Sequence, residues 1–114
     1  MSDTGPPGFP SPGDLQQALD LFRAQFAQSL PARMAQVQEQ LQACRAAPAE
    51  DEPLRALHRL VHALAGSAGT FGLPQFGAAC KAIEGQLDEL LVRSVRSRED
   101  FDPVGAALAA LPSA

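Results

Sequence analysis

The sequence predicts an all-α protein, an up-and-down antiparallel four-helix bundle with an additional short helix. Three observations carry this expectation. From Asp14 onward the composition turns to Ala, Leu, Gln, Glu and Arg, all good helix formers. Apolar residues recur at steps of three and four, and no stretch alternates as a strand would. The periodic stretches run to roughly 15–20 residues with short links, the pattern of an up-and-down bundle.

Residues 1–13, MSDTGPPGFPSPG, hold four of the ten prolines and three of the nine glycines. Such a segment neither nucleates a helix nor buries much surface, so it reads as a flexible tail or linker. The bundle is assigned to residues 14–112. Asp14 is the expected N-cap of the first helix, whose apolar ladder is Leu15, Leu19, Phe22 and Phe26. Leu30-Pro31 should then break or bend the chain, because proline disfavours helix in its predecessor. Ser29 would cap a second helix with the ladder Met34, Val37, Leu41 and Cys44.

Pro48 and the run Glu50-Asp51-Glu52 separate that helix from a third, with Pro53 in its first turn. The third ladder is Leu54, Leu57, Val61, Leu64, Ala68 and Phe71. Gly72 ends it and Pro74 opens the next. The fourth ladder is Phe76, Cys80, Ile83, Leu87 and Leu90. Arg93 to Arg98 reads as a basic, solvated connector, and a short fifth helix carries Phe101, Val104, Leu108 and Leu111. These ladders are the expected core.

A chain of 114 residues is one domain's worth. Thirteen acids against nine bases give a formal charge of −4 and no reason to expect nucleic-acid binding. No apolar run approaches the roughly 20 residues that span a bilayer, and no secretory signal is visible. Cys44 and Cys80 sit far apart in helical patterns and read as free thiols of a reducing compartment. The expectation is a monomeric, cytoplasmic domain.

The two histidines, His58 and His62, are four residues apart and share one helix face. Each follows a core position by one residue, about 100° of rotation, so the imidazoles should lie at the flank of the bundle. Gly66 and Gly69 continue the stripe beyond His62. Glycine costs up to about 1 kcal/mol inside a helix, so two on one face need a reason. Close helix packing, fraying, or open access to the ring would each supply one.

The segment His62-Ala63-Leu64-Ala65-Gly66-Ser67-Ala68-Gly69-Thr70-Phe71-Gly72 resembles the signature of histidine-containing phosphotransfer (HPt) domains. That signature is His-x-Leu-Lys-Gly-Ser/Ala, a run of small residues, and a later Gly. Cys80 and Ile83-Glu84 are similar to the family's second-helix pattern, and the likeness extends over roughly residues 14–112. One departure stands out: Ala65 occupies the place of the usual lysine.

The resemblance implies that His62 accepts a phosphoryl group from the phospho-aspartate of a response-regulator receiver domain, or from a histidine kinase, and passes it on. It implies that Glu84 hydrogen-bonds the Nδ1–H of His62 and leaves Nε2 as nucleophile. A phosphohistidine wants a nearby cation, which Lys81, the chain's only lysine, or Arg59 would supply. Partners would dock around Arg59, Ala65, Gly66 and Gly69 and the neighbouring first helix.

No cofactor is expected of the chain itself. It has no glycine-rich nucleotide loop and no acidic metal cluster, so Mg²⁺ would come with the receiver domain. His58 reads as a bystander. The loss of the usual lysine at Ala65 keeps a competing reading open, a module that binds a receiver or kinase without carrying phosphate. A zinc site on His58 and His62 with Cys44 or Cys80 is the third reading.

Overall fold

The computed structural model describes residues 11–112, which are helix, turn and short connections throughout. Helix α1 runs Pro12–Ala46, α2 Asp51–Thr70 and α3 Pro74–Val92. A 3-10 turn, Arg98–Phe101, leads straight into α4, Asp102–Ala109. The all-α bundle is therefore present. Residues 1–10 of the expected tail lie outside the described residues, but Pro12 and Gly13 are helical. The N-cap is Ser11, whose Oγ accepts the Asp14 N–H at 3.1 Å. Asp14 is not the cap but a first-turn acid, where its charge suits the helix dipole.

The expected division at Leu30-Pro31 does not occur. Pro31 sits inside one continuous helix of 35 residues. A proline there removes one backbone bond and costs about 3 kcal/mol. Pro31 and Ala27, whose carbonyl loses its donor, are both exposed, so water can serve that carbonyl. Phe26, Val37, Leu41 and Cys44 stay on one buried face across the proline. Their burial, about 1.5–3 kcal/mol for each large side chain, outweighs one lost bond. Ser29, the expected second cap, donates its hydroxyl to the Phe26 carbonyl at 2.7 Å instead. The bundle thus has three long helices and a short fourth.

Two contacts set α1 antiparallel to α2. Gln40 Nε2 donates to the Pro53 carbonyl at 3.0 Å, and Arg23 Nε donates to the Phe71 carbonyl at 2.8 Å. Between α2 and α3 the chain reverses at Gly72, with φ +72°. The Leu73 N–H reaches back to the Ala68 carbonyl at 2.9 Å, which caps α2 as expected for a left-handed glycine there. Gly77 lets the two helices close up: a Cβ at that position would lie 3.3 Å from the Ala68 Cβ. These two glycines fix the register that brings α2 and α3 side by side.

The core holds every predicted ladder residue of α2 and α3 except Phe71, which packs half-buried against it. Phe101, Val104 and Leu108 close the bottom. The first ladder fails in part. Leu15, Leu19 and Phe22 are exposed, Leu15 by 50%. At about 1.5 Å per residue α1 is far longer than α2 or α3. It outruns the α2–α3 hairpin above Arg23, and among the described residues nothing covers its apolar face there.

The basic connector also differs from expectation. Arg96 is buried, its side chain only 3% exposed. It donates to the carbonyls of Pro48, Ala49, Leu90 and Arg93 and to the Asp51 carboxylate at 2.6 Å. The chain after α3 is thereby clamped to the α1–α2 turn. Cys44 and Cys80 are buried and unpaired, and burial pushes each thiol up to about 11. No helix among the described residues is long and apolar enough to cross a membrane.

Three outcomes follow for stability. Leu57→Ala should cost about 2–5 kcal/mol in urea unfolding, while Leu15→Ser should stay within about 0.5 kcal/mol. The Arg96 hydrogen bond holds the Asp51 carboxyl below the usual carboxylate range. A lowered folded value contributes stability above the ordinary carboxylate pKa, about 3.9, and loses it as pH falls through the folded value. Asp51→Asn should therefore melt below the parent at neutral pH, and the gap should close as pH falls through the lowered folded-state value.

Candidate functional site

His62 lies on the flank of α2, one position past buried Val61, as its spacing predicts. Its side chain is 71% exposed. Opposite it on α3 stands Glu84, one position past buried Ile83 and 17% exposed. The two meet at 2.6 Å, His62 Nδ1 to Glu84 Oε2. An ionised carboxylate only accepts, so this bond requires the proton on Nδ1. The neutral ring then carries its lone pair on Nε2.

Beside the ring an open groove of about 450 Å³ is lined by His62, Ala65, Gly66, Gly69, Thr70, Lys81 and Glu84. A Cβ at Gly66 or Gly69 would meet nothing within 4 Å. Close helix packing therefore does not explain these two glycines. Their missing side chains keep the groove shallow next to the imidazole. The packing glycine is Gly77, which sequence spacing did not single out.

The two candidate cations part company. Lys81 lines the groove, and among the described residues it has no carboxylate within ion-pair distance. Arg59 does not line it. Its guanidinium pairs with Glu52 at 3.1 Å and borders a separate groove between α1 and α2, with Gln36 and Gln40. Ala65 packs half-buried against the core, and no cation stands in its place on α2. Cys44 and Cys80 are core residues of α1 and α3, whereas both imidazoles are on the bundle flank.

His58 is less isolated than its sequence position suggests. Its Nε2 lies 2.8 Å from Asp88 Oδ1 and 3.7 Å from Glu84 Oε2. The rings of His58 and His62 are parallel within 7°, with centroids 6.3 Å apart. Asp88 was not among the expected site residues. The available signal was matched spacing, since His58 and His62 and also Glu84 and Asp88 are one turn apart on facing helices.

Of these groups, His62, Glu84 and Lys81 meet at one open groove on the bundle flank. A solvent-exposed imidazole held by a carboxylate of the facing helix is what the resemblance to phosphotransfer domains leads one to expect. Comparison with protein families agrees: the family model described as "Hpt domain" matches residues 21–114, and the chain belongs to the Hpt domain family. Such domains are phosphocarriers that work with receiver and kinase domains of two-component phosphorelays. No curated protein and no solved structure matches the chain. The match begins at residue 21, so the first turns of α1, with exposed Leu15 and Leu19, lie outside it.

Proposed function

We propose that this protein carries a phosphoryl group on Nε2 of His62. It takes the group from the phospho-aspartate of a receiver domain or from a histidine kinase, and returns it to a receiver aspartate. The observation that carries this reading is the 2.6 Å contact between His62 Nδ1 and Glu84 on an otherwise exposed ring.

The step balances without a proton leaving the protein. The Nε2 lone pair attacks phosphorus, the N–P bond forms, and the P–O bond to the donor carboxylate breaks. The ring becomes cationic because Nδ1 keeps its hydrogen. Glu84 is already in place to stabilise that charge, so little reorganisation accompanies transfer. On the return the same bond breaks and the ring is neutral again.

Lys81 is the cation proposed for the phosphoryl oxygens, in place of the family lysine that Ala65 replaces. It reaches the groove from α3 rather than from the histidine's own helix. Mg²⁺ belongs to the partner's acidic pocket. Docking would use the open face at Ala65, Gly66 and Gly69, with a small and transient contact suited to turnover. Such a relay places the domain in the cytoplasm. The competing reading, a binding module without phosphate, draws on Ala65 alone, and Lys81 answers the charge deficit.

Incubation with a phosphorylated receiver panel, followed by detection of acid-labile phosphate, tests the reading. The parent should take label and His62→Gln should take none. Lys81→Ala should slow uptake by about tenfold, in line with the loss of one charge-assisted hydrogen bond. Label retained in His62→Gln would sink the assignment.

A further inference from the structure

Glu84 has two neighbours, and only one of them is explained by the phosphoryl carrier. The oxygen that takes the His62 Nδ1–H, Oε2, also lies 3.7 Å from Nε2 of His58. That His58 nitrogen is buried, sits 2.8 Å from Asp88 Oδ1, and makes no well-aligned hydrogen bond to either carboxylate. Glu84 and Asp88 are one turn apart on α3, where like charges repel.

The other charged groups nearby are engaged elsewhere or face away. On α2, Arg55 lies 3.9 Å from Asp51 and Arg59 pairs with Glu52. On α3, Lys81 lines the groove on the far side of Glu84 from Asp88. Among the described residues, only His58 and His62 come within ion-pair distance of Glu84. A glutamate side chain has three rotatable bonds, and holding it in one rotamer costs entropy. The exposed His62 ring alone is a poor anchor for it.

We propose that His58 is a positioning residue: its buried Nε2 edge, seated beside Asp88 and 3.7 Å from the Glu84 carboxylate, holds that carboxylate against Nδ1 of His62. The effect on transfer rests on the phosphocarrier reading above, whereas the effect on the ring's tautomer does not. His58 thereby acts through Glu84 and never touches phosphorus. The parallel stacking of the two rings leaves His62 exposed while its inner edge is fixed.

The test is ¹⁵N NMR of the His62 ring, with phosphoryl uptake measured in parallel, in the full chain. His58→Phe keeps a flat ring and removes Nε2, and His58→Gln keeps a donor. His58→Ala serves the same purpose as His58→Phe where the larger ring disturbs folding. In the parent the Nδ1–H tautomer of His62 should dominate. In His58→Phe or His58→Ala it should give way to a mixture, with uptake about fivefold slower, on the order of one weak polar contact. His58→Gln should restore both. An unchanged His62 tautomer in His58→Phe and His58→Ala overturns the proposal, as does equal slowing in all three variants. If the parent takes no label on His62, the carrier reading fails, and the tautomer comparison still decides the role of His58.

Discussion

The short hydrogen bond from His62 Nδ1 to the Glu84 carboxylate is the constraint on which the site depends. A surface imidazole normally turns about two side-chain bonds and exchanges its proton between two nitrogens. Here a carboxylate on a second helix fixes both the ring and the tautomer. That is possible only because α2 and α3 lie close and in one register. Gly72 makes the reversal and Gly77 allows the approach to Ala68, so two glycines without chemistry set the geometry of the two residues that have it.

The far end of the bundle is secured differently. Arg96 gathers carbonyls from the α1–α2 turn and from the end of α3, and it pairs with Asp51 at the start of α2. One buried guanidinium thus fastens three segments of the chain. Arg45 Nη1, 2.7 Å from Asp102, ties α4 to the end of α1. Between the glycine turn at one end and this clamp at the other, the His62 face carries only the contacts of its two histidines with Glu84 and Asp88. It can stay open to a partner without weakening the core beneath it.

The elements whose signals are local were legible in the sequence. The ladders of α2 and α3, the stop at Gly72 and the start at Pro74 all follow from residues within a few positions of one another. The flank placement of His62 and Glu84 follows from one-residue offsets to Val61 and Ile83. Pro31 was misleading because its local penalty competes with burial of Phe26, Val37 and Leu41, which depends on two other helices. Leu15, Leu19 and Phe22 show the reverse case: periodicity marks an apolar face but not whether a partner helix is long enough to cover it. Arg96 looked like a solvated arginine because two of the carbonyls it serves, at positions 48 and 49, and its Asp51 partner are far away in sequence. Asp88 was hidden for a similar reason, since it matters only through His58.

The proposed carrier role requires that Glu84 make one ring nitrogen of His62 a donor and leave the other as the nucleophile. ³¹P NMR of the protein after phosphorylation by a small phosphoramidate reads the modified nitrogen directly. The account predicts a single phosphohistidine, on Nε2 of His62. A phosphoryl group on Nδ1 of that ring, or on His58 in its place, would contradict it.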